Sequence, residues 1–258
     1  MDPIFVLAGA FSGLLIGLTG VGGGAVMTPL LISYGVPPLT AVGTDLWFAA
    51  VTKTVSAGFG HRSGLVDWVI TKRLWVGSLP ASFVLIVFMT FMPLEQGSFA
   101  RLENLIALMV LVTAIGLASK SLIHSTGREF RINNESFFKS IQRPLTTLSG
   151  TVLGSIVTVT SVGAGALGVV VLSYLYPLRL TPQRLVSTDI AHAIPLALFA
   201  GFGHALVGHV DLRLLSNILT GSIPAVLVGS VIATRISDSI LRYGIAVVLF
   251  IVGIGLLL

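Results

Sequence analysis

The chain has 258 residues, 54% of them apolar and only 10% charged, with a mean hydropathy of +0.99. Soluble domains carry about 25% charged residues, so this chain cannot clothe itself in hydrated groups and takes lipid as its outer solvent. Its net charge of +5 comes from basic residues set singly between apolar runs, without aromatic interleaving, which argues for membrane orientation signals and against nucleic acid.

The first apolar run covers 4–34. No basic segment precedes it and no evident cleavage site follows it, so it is not read as a signal peptide. At about 30 residues it exceeds the roughly 20 that one crossing needs. Glycines interrupt it at Leu18-Thr19-Gly20-Val21-Gly22-Gly23-Gly24. Runs at 39–60, 74–93 and 104–123 each suit one crossing. Residues 124–143 are polar and mix both charge signs with Phe130, Phe137, Phe138 and Ile141. This linker reads either as a cytoplasmic helix on anionic headgroups or as a solvated connector. A second long run, 145–175, is broken at Val159-Thr160-Ser161-Val162-Gly163-Ala164-Gly165. Runs at 182–207, 212–234 and 239–258 follow.

The two broken runs expose an internal repeat. Thr19-Gly20-Val21-Gly22 aligns with Thr160-Ser161-Val162-Gly163, and Thr44-Asp45 with Thr188-Asp189. Gly58-Phe59-Gly60-His61 recurs letter for letter as Gly201-Phe202-Gly203-His204, and Gly64, Val66 and Asp67 recur as Gly208, Val210 and Asp211. Matches in this order divide the chain into a first transmembrane repeat (1–123), a cytoplasmic linker (124–143) and a second transmembrane repeat (144–258).

Basic residues choose between two topologies. If each broken run enters and returns as a helical hairpin, twelve share one side: Arg62, Lys72, Arg73, five in 120–143, Arg179, Arg184, Arg235 and Arg242. Only Arg101 and Arg213 lie opposite. Single crossings divide them far more evenly. The positive-inside rule favours the hairpins. The expected fold is an all-α polytopic membrane protein of two inverted repeats, each a glycine-broken hairpin followed by three transmembrane helices, with both termini outside.

Glycines inside membrane helices commonly serve close packing, and Gly13, Gly17, Gly150 and Gly154 are read so. The breaks differ. Backbone freed at membrane depth is tolerated only where it lines a cavity or packs in protein, and paired breaks in equivalent positions point to a transporter's central site. Each exposes N–H groups at the positive end of the following half-helix, which suits an anion. The candidate binding residues are Thr19, Gly20, Gly22, Gly23, Gly24, Thr160, Ser161, Gly163 and Gly165, meeting near the midplane, with Lys53 as counter-charge. A buried lysine is costly and functional by default, although snorkelling is the plain alternative. Asp45 and Asp189 read equally as helix caps or as proton carriers, with His192 one turn from Asp189. His61 and His204 end the Gly-Phe-Gly-His copies, where capping and chemistry are both open.

The chain has no cysteine, which excludes disulfides, thiol catalysis and Cys-based metal sites. No metal-ligand, nucleophile-elbow or nucleotide-binding motif stands in it, so neither cofactor nor metal is expected and ATP is not the expected energy source. Two intramembrane aspartates raise an aspartyl protease as a rival, but the Gly-x-Gly-Asp pattern is missing.

Gly17-Leu18-Thr19-Gly20-Val21-Gly22-Gly23-Gly24, followed by Pro29 and Thr44-Asp45, resembles the sulfite exporter TauE/SafE family across essentially the whole chain. The second glycine run is diluted relative to the first. The resemblance implies outward transport of sulfur-containing oxoanions, sulfite or organosulfonates, across the bacterial inner membrane. The expected function is therefore a proton- or potential-coupled secondary transporter, with a passive anion channel as the main alternative. The implied partners are a small anion and the lipid bilayer, with no nucleic acid. Whether copies associate as a homo-oligomer is open.

Overall fold

The computed structural model describes residues 2–19, 24–60, 64–91, 99–133, 135–163, 165–233 and 236–257. Eleven helices and no strand occur among them. The first half holds α1 (Pro3–Thr19), α2 (Gly24–Ser33), α3 (Pro38–Gly60), α4 (Trp68–Phe91) and α5 (Phe99–Ala118). After α6 (Lys120–Asn133) the second half holds α7 (Glu135–Thr160), α8 (Ala166–Leu175), α9 (Pro182–Leu206), α10 (Leu212–Ala233) and α11 (Asp238–Leu257). Proline opens α1, α3 and α9, where its missing N–H has no helical partner to lose.

Five helices (α4, α5, α9, α10 and most of α11) are long and apolar enough to cross a bilayer. With 23 residues α3 is also long enough, but it carries Asp45 and Lys53. It tolerates them because protein rather than lipid surrounds it. Along α3, Thr44, Asp45, Thr52 and Lys53 are buried, and along α9 so are Thr188, Asp189 and His192. The apolar side chains of α4, α10 and α11, among them Phe83, Phe88, Val231 and Ile251, face outward. This is the burial order a lipid solvent selects, with polar groups inside because hydrocarbon cannot satisfy them.

Both broken runs enter and return. Phe5 at the start of α1 meets Tyr34 at the end of α2 edge to face, with ring centroids 6.2 Å apart. In the second half, the Thr146 hydroxyl lies 2.7 Å from the Tyr176 hydroxyl just beyond α8, and Gln142 Nε2 donates to the Leu175 carbonyl. A helix whose return partner ends beside its own first turns has not crossed once and stopped.

Glycines set the directions of the remaining helices. A Cβ on Gly9, Gly13 or Gly17 would fall within 3.0 Å of the carbonyl oxygen of Ile218, Ser222 or Val226 respectively, so α1 and α10 run parallel with their backbones in contact. Gly150 and Gly154 meet Leu74 and Ser78 in the same way, so α7 runs parallel to α4. Trp75 donates to the His192 carbonyl at 3.2 Å and Ile86 abuts Gly203, so α4 runs parallel to α9. Gly43 faces His204 while Leu46 faces Gly201, so α3 runs against α9. Asp211, just before α10, donates to Thr44 near the start of α3, and Ser230 near the end of α10 shares a cavity with Ser56, so α10 runs with α3; α1 and α7, the helices that open the halves, therefore point in opposite senses. Lipid tails supply no hydrophobic drive between helices, so this close backbone approach is what holds the pairs together.

The segment 124–143 is helical through all its described residues, and α7 begins at Glu135, running through the boundary placed at 144. Within this segment the Phe130 ring packs on Phe137 and Phe138, at 6.3 and 5.8 Å. Gly127 lets α6 lie against the backbone of Tyr174, at the end of α8.

Candidate substrate and coupling site

The second break is an irregular, left-handed stretch. Ser161, Gly163 and Gly165 have φ of 57°, 103° and 126°. Glycine adopts such angles without a Cβ clash, whereas Ser161 is held there at a cost of about 1 kcal/mol or more. The Thr160 hydroxyl donates to the Ile156 carbonyl at 2.7 Å and accepts from the Val162 N–H at 3.2 Å, closing the end of α7. Thr19 likewise donates back to Leu15 at 2.7 Å. The Ser161 hydroxyl is buried and turned toward the Asp45 carboxyl. Gly20, Gly22 and Gly23 lie outside the described residues, and Gly24 is the first residue of α2.

The two breaks flank different levels of α3. Thr19 lines a cavity of about 230 Å³ with Ser56, Ala57, Ser187 and Ile190. Ser161 instead faces Asp45, eleven residues and about 17 Å earlier along the same helix. Thr19 and Ser161 therefore do not meet at one point, and the rest of the first break lies outside the described residues. Thr19 lies against α9 and Ser161 against α3, each beside the buried helix of the other half.

Asp45 and Asp189 are not caps. Each is the eighth residue of its helix, beyond the first turn whose N–H groups need capping. Thr181 caps α9 by accepting from the Arg184 N–H at 3.4 Å. The neighbouring threonines tie the halves together: Thr44 Oγ1 accepts the Asp211 N–H at 3.1 Å and Thr188 Oγ1 accepts the Asp67 N–H at 3.0 Å. Each aspartate rests on the return helix of its own half. Thr28 on α2 donates to Asp45 Oδ2 at 2.6 Å, and Asp189 Oδ1 lies against Gly168 on α8, where a Cβ would collide with it. Both Asp189 oxygens are buried without a hydrogen-bond partner, whereas Asp45 has Ser161 beside it as well as Thr28.

Lys53 joins this group across the halves, interacting with Asp189 first and Asp45 second. His192 also senses Lys53, and its Nε2 sits 3.0 Å from the Ser78 hydroxyl. The carboxylates themselves stand apart. With Leu46 level with Gly201, Asp45 lies about 20 Å from Asp189 along the axis of α9. Two groups so placed do not form the shared-proton dyad of an aspartyl protease, which needs adjacent carboxyls.

A buried row of titratable groups at several depths, flanked by two helix breaks, is transporter architecture. Comparison with known proteins names the kind. A family model described as sulfite exporter TauE/SafE matches residues 5–256. The chain belongs to the sulfite exporter TauE/SafE family. It is 35% identical over 259 residues to "Probable membrane transporter protein YjnA" of Bacillus subtilis (strain 168), covering the whole of both chains. It is 26% identical to "Probable membrane transporter protein YdhB" of the same organism, over 98% of this chain and 99% of that one. No solved structure matches. This TauE/SafE member is accordingly a multi-pass membrane transporter of the cell membrane.

Sequence reading found Asp45, Asp189, His192 and Lys53 because charge in an apolar run is conspicuous. It missed Thr28, Ser78 and Gly168, whose types are ordinary in membrane helices and whose roles exist only by contact. It also passed over Arg179, which binds Asp67 through two hydrogen bonds, at 2.7 and 2.9 Å. The one available signal was the recurrence of Asp67 as Asp211.

Proposed function

We propose that this chain is a secondary transporter of inverted-repeat architecture that exports a small sulfur-containing oxoanion, sulfite or an organosulfonate, coupled to protons. Family membership supports the substrate class. The observation that carries the coupling is the pair of repeat-equivalent buried aspartates, held on different levels of α3 and α9 with Lys53 and His192 between them. A carboxylate buried this way is functional by default, since charge inside a membrane protein costs several kcal/mol unless it is used or paired. Protonation from either side, each aspartate near one break, gives a route for exchanging a proton against an anion. The anion itself is assigned to the breaks, with one subsite at each depth: Ser161 and the N–H groups at the start of α8 in the second half, and Thr19 with the segment to Gly24 in the first. The end bearing Lys72, Arg73, Arg179 and Arg184 is assigned to the cytoplasm.

Purified protein in proteoliposomes tests the reading. Sulfite and methanesulfonate flux should be driven by an imposed pH gradient, and should persist at zero membrane potential. Flux that follows only the anion's own electrochemical gradient would mark a passive channel, and no flux of either anion would remove the substrate class.

A further inference from the structure

We propose that Arg179 and Arg184 recognise the transported oxoanion at the basic end of the molecule, and that Asp67 is the internal carboxylate the anion displaces. The inference rests on the export reading above and names where the substrate is first taken up. Arg179 lies in the turn between α8 and α9, and Asp67 in the turn before α4. Arg179 Nε and Nη2 hold Asp67 Oδ2 and Oδ1 at 2.7 and 2.9 Å, a two-pronged fork. That geometry fits any group presenting two coplanar oxygens, and a sulfite or sulfonate presents such a pair as a carboxylate does. Arg184 Nη2 stands 4.0 Å from Asp67 Oδ2, and its Nε is buried without a hydrogen-bond partner. Two guanidiniums thus face one carboxylate, with an orphan donor among them. Arg73 stands at the same end, donating to Tyr176 at 3.3 Å. The Asp67 side chain is only 4% exposed while that of Arg179 is 47% exposed, so an anion from the aqueous side meets the guanidinium first.

The other half shows what the same frame looks like without these groups. Asp211, the repeat equivalent of Asp67, uses its Oδ1 on the Arg213 and Leu214 N–H groups at 2.8 and 2.9 Å. At the positions equivalent to Arg184 and Arg73 stand Thr40 and Asn217. Both line a cavity of about 800 Å³ that also takes in Asp211. Arg213 also lines that cavity, but Gly35, Thr40 and Asn217 stand in place of Arg179, Arg184 and Arg73, and the end is open; where the three arginines stand, a carboxylate bridges it. Asp67 belongs to the first half and Arg179 to the second, so drawing Arg179 off Asp67 breaks a tie between the two halves. Anion arrival and opening are then one event.

Thermal unfolding of the purified full chain, titrated with sodium sulfite and with sodium methanesulfonate, reads the anion Kd from the stabilisation each produces. Asp67→Asn removes the competing carboxylate and should tighten anion binding about tenfold, whereas Arg179→Gln should weaken it by about the same factor. A purely structural ion pair moves both variants the same way, lowering the melting temperature and leaving Kd within about twofold, and that result overturns the proposal. Arg184→Gln leaves the Asp67–Arg179 fork intact and keeps the test alive if the other two do not fold. It should also weaken binding, and an unchanged Kd there counts against the site. Absence of an anion-dependent shift in every protein, wild type included, overturns it as well. The export reading fails separately. Wild-type proteoliposomes without flux, beside opposed Kd shifts in the variants, would leave an anion site without export. Flux with Kd unmoved throughout would sink the site alone.

Discussion

Lys53 is buried in α3, at 1% exposure. The sequence reads it as a counter-charge for an anion, but in the fold Asp189 and Asp45 already face it. Removing one member of a buried pair strands the other charge, at about 3–5 kcal/mol, while removing both is nearly neutral. Lys53→Met should therefore destabilise the protein by about 3 kcal/mol, and Lys53→Met with Asp189→Asn should recover most of that loss, as judged by reversible unfolding in a double-mutant cycle. Additive losses would show that the two do not interact. The same logic separates proton carriage from structure at the carboxylates. Asn retains the shape of Asp without its proton, so Asp45→Asn and Asp189→Asn should abolish pH-driven flux. Because neither residue caps a helix, unchanged pH-driven flux in both variants would remove them from coupling altogether.

Helix contacts here are made by what is missing from the side chains. Gly13 on α1 and Gly150 on α7 each place a Cα against the carbonyl of a neighbouring helix, and the two contacts belong to α1–α10 and α4–α7, corresponding pairs that each join one helix from each half. Added volume at such a site has backbone to push against, which does not yield as a flexible side chain does. Val at either position should cost at least the 1–3 kcal/mol typical of overpacking, read as a lowered unfolding midpoint in detergent. Gly244 on α11 is the control, since a Cβ there meets nothing within 4 Å. Gly244→Ala should be neutral or stabilising by up to about 1 kcal/mol through helix propensity alone. Equal losses at Gly13 and Gly244 would mean that close approach is not what these glycines provide.

At the scale of the whole molecule, the directions of α1, α7 and their neighbours put the α2–α3 turn and the α8–α9 turn at opposite ends. The chain has no cysteine of its own, so Pro37→Cys and Leu178→Cys each introduce a single thiol, the latter at a side chain 60% exposed. In intact cells an impermeant maleimide should label the Cys at 37 and spare the Cys at 178 until the membrane is opened. Labelling of both from one side would overturn the opposed arrangement of the halves. Lys and Arg placement predicts which end faces the cytoplasm, and the same experiment reads that.

The sequence by itself determined the membrane class, the repeat and the hairpins, because these depend on composition, on recurrence and on charge counted along the chain. Lipid as solvent demands apolar runs of a certain length whatever their neighbours do, and glycines at Gly163 and Gly165 are visible as letters before they are visible as φ angles. Tertiary structure alone decided which groups meet. Lys53 lies eight residues from Asp45 in its own helix, yet its stronger electrostatic partner is Asp189 in the other half, and Asp67 finds Arg179 across a separation of 112 residues. No local periodicity encodes such pairs. They follow from α3 and α9 packing in opposite directions at the centre, which aligns their levels in reverse order. That packing also separates Thr19 from Ser161, which the repeat alone suggested should come together. Equivalent positions in oppositely directed halves are carried to opposite depths, so symmetry in the sequence becomes distance in the fold.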